Sequence, residues 1–207
     1  MELILGNKNY SSWSMRAGLV ANAFDLPLEL TTIWLDEDGA ERRKRDYSPA
    51  GLVPILIDGD LTVWDSLAIC EYLAEKFPHR ELWPVDTQDR ARARSLCCEM
   101  HSGFSALRQQ LPMNIRARKE PRTWPAEVQR DVARIHEIWA EARGPFLFGK
   151  FSIVDAYFAP VACRFRTYQV DVPDAAADYY EELLAHDAVR AWTQLGLAES
   201  HHMSRYD

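Results

Sequence analysis

The chain runs Leu3-Ile4-Leu5 into Gly6-Asn7-Lys8-Asn9-Tyr10-Ser11-Ser12-Trp13-Ser14-Met15-Arg16. A short apolar strand gives way there to a polar turn and a serine-rich helix start, and serine is a preferred helix N-cap. Further along stand Val53-Pro54-Ile55-Leu56-Ile57-Asp58-Gly59 and Val63-Trp64-Asp65-Ser66. Asp-Gly between two β-rich runs signals a hairpin, and Asp65-Ser66 opens an amphipathic helix. The two stretches predict a hydroxyl at one helix N-terminus and an acid-serine pair at another, with an extended Val-Pro step between.

Outward from these, Ser14 to Phe24 places Met15, Leu19, Val20 and Ala23 near helical spacing. Leu28 to Leu35 is rich in β-branched and aromatic residues and predicts a second strand. Asp36 to Gly39 reads as a turn, Ala40 to Tyr47 as a short polar helix, and Pro54 to Ile57 with Leu61 to Trp64 as the hairpin. Ser66 to Phe77 is the next helix, and the order is βαβαββα. Two prolines and little periodicity make Pro78 to Asp86 a linker.

Everything beyond reads as helical. One long helix is expected from Thr87 to about Leu111, stopped at Pro112, and another from Trp124 or Pro125 to Arg143. Ser152 with Asp155 three residues on forms a capping-box signature for a helix running to about Tyr168. Two shorter helices, Ala177 to Ala185 and Ala188 to Leu197, precede a tail from Ser200 to Asp207 that is expected to be mobile. The expected fold class is α/β plus all-α: a thioredoxin-like βαβαββα domain over residues 1–78, a linker over 79–86 and an all-helical domain over 87–207.

Composition narrows the function. A hydrophobic share of 47% over 207 residues supports a substantial core, and a net charge of -7 argues against nucleic-acid binding through a broad basic surface. The run Arg42-Arg43-Lys44-Arg45 is read as a solvated helix face. No apolar run of about 18 residues is present to span a membrane, and Met1-Glu2-Leu3-Ile4 lacks the features of a signal peptide. Cys70, Cys97, Cys98 and Cys163 show no CxxC spacing, so buried thiols in a reducing cytoplasm are expected, with no metal site.

Together these residues resemble the cytosolic glutathione transferases. The resemblance covers nearly the whole chain. It is strongest in Ser11 to Arg16, in Val53-Pro54, in Asp65-Ser66-Leu67-Ala68-Ile69 with Tyr72-Leu73, and in Gly149 to Asp155. Ser11-Ser12 followed by Arg16 is most similar to the zeta class, which includes maleylacetoacetate isomerases. The zeta pattern has a cysteine where this chain has Trp13 and a tryptophan where it has Met15.

The resemblance implies glutathione as co-substrate and a serine-type mechanism. A free thiol titrates near about 8.5. A hydroxyl donor at a helix N-terminus favours the thiolate, and lowering the pKa by about two units takes roughly 2.7 kcal/mol of preferential anion stabilisation. Ser11 is the first candidate activator, Ser12 the second and Tyr10 a rival. Plain helix capping is the alternative for the serines, and a packed aromatic for Tyr10.

X-Pro bonds are where a cis peptide is cheap, and the resemblance implies that Val53-Pro54 is cis, presenting the Val53 backbone to the peptide as a strand would. The other reading of Pro54 is the start of an edge strand. Asp65 and Ser66 would take the ammonium and carboxylate of the γ-glutamyl end, or else are an N-cap pair. For the glycine carboxylate, Arg16 and the Arg42 to Arg45 run both remain open. Phe104, Arg108 and Leu111 would line a second-substrate pocket, with helix packing equally open for the apolar members, and Arg108 would suit an acidic substrate. His101 is read as structural. Partners implied are a small electrophile and a second copy in a homodimer, without nucleic acid or membrane.

The expected activity is transfer of glutathione to a small electrophile. The alternatives are glutathione-dependent cis-trans isomerisation of a maleyl-type diacid and a non-catalytic binding protein on the same fold. Thiol-disulfide reduction ranks last, because no cysteine stands at the first helix N-terminus.

Overall fold

The protein is described here by a computed structural model covering residues 1–206. Its elements are β1 (Glu2–Leu5), α1 (Ser12–Ala23), β2 (Glu29–Thr32), α2 (Ala40–Tyr47), β3 (Ile55–Asp58), β4 (Leu61–Trp64) and α3 (Ser66–Lys76), then α4 (Thr87–Ser102), α5 (Ser105–Gln110), α6 (Ala126–Ala140), α7 (Ile153–Tyr168), α8 (Asp174–Ala185) and α9 (Asp187–Ala198). The fold is a mixed α/β unit followed by an all-helical one.

The sheet runs β2-β1-β3-β4, with β1 parallel to β2 and antiparallel to β3, and β3 antiparallel to β4. β1 is central, so its residues are covered on both faces. Leu3 and Leu5 point into the main core, while Ile4 joins Ile33, Ala40 and Ile55 on the other side, the alternation a strand imposes.

α7 is the axis of the helical unit. Every one of its residues except Arg166 is buried, as befits a helix apolar nearly all round. It packs against α1, α4 and α8. The capping box forms at its start. The Asp155 carboxylate accepts from the Ser152 amide (2.9 Å), the Ser152 hydroxyl (3.2 Å), the Leu147 amide (3.1 Å) and the Tyr179 hydroxyl (3.2 Å). Complete burial nonetheless raises its pKa to about 6, the hydrogen bonds opposing that rise.

Three local expectations are corrected. The long helix expected from Thr87 to Leu111 is broken: α4 ends at Ser102, Phe104 takes a left-handed φ of 55°, and α5 restarts at Ser105. Glycine disfavours helix at position 103, and a Cβ there would lie 2.7 Å from the Glu99 carbonyl oxygen. Arg108 then reaches back to the freed carbonyls of Met100 (2.7 Å), His101 and Gly103. The strand expected over Leu28 to Leu35 is confined to Glu29–Thr32, because the Leu35 amide is taken by Asn7 Oδ1 at 2.8 Å and the chain turns away.

The tail expected to be mobile is anchored as far as Tyr206, Asp207 lying outside the described residues. The Met203 amide donates to Tyr10 Oη (3.1 Å), and Asn114 Nδ2 to the Tyr206 carbonyl (3.0 Å). Arg116 holds the carbonyls of Glu199 and His201, and His201 stacks on Trp34 at 3.9 Å. Its backbone acceptors are satisfied by side chains that sequence periodicity does not mark.

Candidate functional site

β1 delivers the chain to the N-terminus of α1. Ser11 is the N-cap, its Oγ accepting from the Ser14 amide (3.2 Å) and donating to Ser14 Oγ (2.9 Å). Ser14 Oγ also accepts from the Gly6 amide at 2.8 Å, tying strand end to helix start. Ser12 is likewise buried, and its Oγ accepts from Arg164 Nη2 at 3.2 Å. Tyr10 turns the other way: its hydroxyl meets Met203 and Arg116, and its ring lies 5.7 Å from that of Tyr206.

The hairpin delivers the chain to α3. Asp65 is the N-cap, its Oδ1 accepting from the amides of Leu67 (2.8 Å) and Ala68 (3.5 Å). Its φ of 74° is a conformation that costs a non-glycine residue on the order of 1–3 kcal/mol and concentrates at functional sites. The other carboxylate oxygen stands 3.2 Å from His101 Nε2. Burial lowers the His101 pKa in spite of that neighbour. Ser66 Oγ pairs with Tyr157 Oη at 2.9 Å. The Val53-Pro54 peptide is cis.

A cavity of about 320 Å³ opens where these pieces meet, lined by Trp13, Val53, Pro54, Asp65, Ser66 and His101 among others. Four of the sequence-predicted residues therefore share one cleft, and Ser11 and Ser12 immediately precede its Trp13 wall. A larger cavity of about 670 Å³ lies between α6 and α8, beside Asp178, Glu181 and Glu182, and none of the expected site residues lines it.

The expected second-substrate residues separate. Leu111 is fully buried with Val128 and Tyr168 in a cluster of its own. Phe104 is buried in the main core. Because α5 sets off in a new direction after Phe104, neither lines the cleft. Arg108 does approach it, its guanidinium 5.3 Å from the centre of the Trp13 ring.

Sequence reasoning missed the wall that Trp13 and His101 form and the buried Arg164, and it named Arg16 without its burial. Trp13 and His101, 4.9 Å apart, form one wall. Arg16, only 1% exposed, lies over the rings of Trp13 (4.2 Å) and Tyr157 (4.6 Å). Its Nε and Nη1 find no hydrogen-bond partner among the described residues, and burial pushes its pKa down to about 10, which leaves it charged. Arg164 is buried in α7. Among the described residues, Arg16, Arg108 and Arg164 form no ion pair with a carboxylate, so positive charge gathers behind the cleft. The available signal was a charged residue inside the run Val161-Ala162-Cys163-Arg164-Phe165.

Residues 10–76 match the family model of the glutathione S-transferase N-terminal domain. The chain is 28% identical to a stringent starvation protein A homolog of Pasteurella multocida over 144 residues, 68% of this chain and 65% of that protein. It is 45% identical to dichloromethane dehalogenase of Methylorubrum extorquens over 71 residues, 33% of this chain and 25% of that protein. To probable maleylacetoacetate isomerase 2 of Drosophila melanogaster it is 27% identical over 168 residues, 78% and 74% of the two chains. It thus spans less than two thirds of the first two relatives' length.

Among solved structures, a glutathione transferase homolog from Burkholderia with bound glutathione superposes with a TM-score of 0.73 at 24% identity, covering 94% of this chain and 97% of that one. A zeta-class maleyl pyruvate isomerase superposes with a TM-score of 0.74 at 21% identity, covering 97% and 100%. At those identities the likeness is one of fold. Residues 10–76 thus match the glutathione S-transferase N-terminal domain by sequence, and the fold of these solved structures is matched along nearly the whole chain.

Proposed function

We propose that this protein binds glutathione in the cleft between Val53-Pro54 and Asp65-Ser66, holds its thiol as the thiolate at the N-terminus of α1, and transfers it to a small electrophile. The reading rests on the placement of Val53, Pro54, Asp65 and Ser66 around one cavity, with a helix N-terminus on either side. Asp65 supplies a negative partner for the γ-glutamyl ammonium. The α3 amides and Ser66 supply donors for the carboxylate beside it. The Val53 backbone offers a strand-like edge to the peptide. At α1 the helix terminus and a hydroxyl from Ser11 or Ser12 stabilise the sulfur anion, whose proton passes to solvent; Tyr10, the rival, has its hydroxyl engaged by Met203 and Arg116.

Titration of the purified protein with glutathione across pH, following thiolate absorbance in the ultraviolet, tests this. Saturable binding with a bound thiol pKa at least one unit below the free value is the expected result. Absence of binding at millimolar glutathione overturns it.

A second reading is favoured by one observation, the buried guanidinium groups of Arg16 and Arg164, which pair with no carboxylate among the described residues, with the part-buried Arg108 nearby. They suit a diacid. The thiolate would add to the double bond of a maleyl-type substrate, the resulting single bond would rotate, and elimination would return glutathione unchanged. Relatives named as maleylacetoacetate isomerases in Drosophila melanogaster and Vibrio cholerae are consistent with it. Turnover of a maleyl diacid without net loss of thiol separates isomerisation from conjugation. Binding without either reaction would leave the non-catalytic alternative.

With this activity we propose the division into residues 1–78, 79–86 and 87–207, a homodimer, and a cytoplasmic location. No described helix is long and apolar enough to cross a membrane.

A further inference from the structure

Three hydroxyls stand near the start of α1, and their surroundings differ. Ser11 directs its proton to Ser14 Oγ and serves as the helix cap. Tyr10 lies under the C-terminal tail. Ser12 accepts a hydrogen bond from a cation, Arg164 Nη2 at 3.2 Å, and Ser12 Oγ makes no other hydrogen bond among the described residues. A hydroxyl that accepts from a guanidinium keeps its own proton for donation, and the accepted bond strengthens that donation.

Arg164 is built for this task. Its Nε is fixed on the Leu111 carbonyl at 2.8 Å, and Nη1 lies 3.5 Å from that of Pro160, which leaves Nη2 aimed at Ser12. It is 5% exposed. The charged and titratable groups around it are Arg16 on α1, Arg108 on α5, and Cys163 and Tyr168 on α7. No carboxylate pairs with it among the described residues. Burial pushes its pKa down to about 9, which keeps it cationic at neutral pH.

We propose that Arg164 is a positioning residue for thiol activation: it orients and polarises the Ser12 hydroxyl, which donates to the sulfur of bound glutathione, so the helical unit completes a site otherwise built by the N-terminal one. The thiol proton leaves to solvent, Ser12 keeps its own, and no covalent bond to the protein forms. The proposal rests on the glutathione reading above and deepens it.

The test is the pKa of the bound thiol, read from thiolate absorbance across pH, in Ser12→Ala, Ser12→Thr, Arg164→Met, Arg164→Lys and the double variant Ser12→Ala/Arg164→Met. Ser12→Ala is expected to raise that pKa by about one unit or more, a tenfold loss of thiolate well below the midpoint. Ser12→Thr stays near the unaltered protein. Arg164→Met raises it similarly, and Arg164→Lys recovers part of the shift. The double variant shows no more than the larger single shift, because Arg164 acts through Ser12.

A pKa unmoved by Ser12→Ala, or single shifts that add in the double variant, overturns the proposal. Should Arg164→Met fail to fold by circular dichroism, the Ala and Thr variants of Ser12 decide: an equal rise in both, or in neither, refutes it. A lowered thiol pKa indifferent to both residues defeats this inference alone. No glutathione binding by the unaltered protein defeats the function proposed above and this with it.

Discussion

Ser66 Oγ and Tyr157 Oη lie 2.9 Å apart, both buried, and their bond fastens the N-terminus of α3 to the second turn of α7. The residue read from sequence as a ligand donor is thus held by a helix from the other half of the chain. Tyr157→Phe removes only this bond. The expected cost is about 1 kcal/mol of stability and a several-fold rise in the glutathione Kd, as Ser66 loses its fixed orientation. Denaturant unfolding and glutathione titration check the two separately; an unchanged Kd would mean that Tyr157 supports the fold alone.

Asp155 carries the start of α7, and its role is testable by stability and pH together. Asp155→Ala strands four donors, those of Ser152 (two), Leu147 and Tyr179, and should destabilise by about 3 kcal/mol or more. The folded pKa is raised to about 6 from 3.8. The folded state therefore binds the proton more tightly than the unfolded one. The contribution of this raised pKa is full below the unfolded value and is lost as pH rises through about 6. The stability gap between the unaltered protein and Asp155→Ala should narrow from pH 4.5 to 7.5. Unfolding midpoints at several pH values measure it, and a gap that widens with pH would reverse the assignment.

These two predictions mark where the sequence was legible. The apolar run Leu3-Ile4-Leu5, the Asp58-Gly59 turn, and Ser152 with Asp155 are local signals, and each produced the element expected of it. Phe104 was illegible, because its left-handed conformation depends on Gly103 and on Arg108 capping the carbonyls it frees. The tail was illegible for a similar reason: Arg116, Asn114 and Trp34 are distant in sequence and follow no period. The cleft residues Val53, Pro54, Asp65 and Ser66 stand out through short motifs. Arg164 and Tyr157 support the site only through tertiary contacts, which a single sequence does not display; Arg16 stands in a motif, but its burial against Trp13 and Tyr157 is likewise tertiary.

Gly18 tests the packing of α1 against α9. A Cβ there would lie 2.1 Å from the Trp192 ring, itself held by a bond from Nε1 to the Lys8 carbonyl at 3.0 Å. Alanine is favoured over glycine in a helix by roughly 1 kcal/mol, yet overpacking a core costs about 1–3 kcal/mol, and a rigid indole cannot yield cheaply. Gly18→Ala should therefore lower the unfolding free energy, by up to about 2 kcal/mol net. A stabilised variant would show that Trp192 moves freely.

Asp65 separates binding from folding. Its carboxylate caps α3 through the amides of Leu67 and Ala68, and asparagine caps a helix about as well as aspartate. Asparagine also tolerates positive φ, so Asp65→Asn should leave stability within about 1 kcal/mol. What it removes is the charge. The proposed partner is the glutathione ammonium, and a hydrogen bond to a charged group contributes about 1.5–3 kcal/mol, so the glutathione Kd should rise by roughly 10- to 150-fold. The pKa of the bound thiol should move little, because Asp65 belongs to α3 and the sulfur to α1. Calorimetric titration, thermal unfolding and thiolate absorbance on one preparation read all three quantities. Lost stability with unchanged affinity would make Asp65 a helix cap and nothing more, and the ammonium would then need another carboxylate in the cleft.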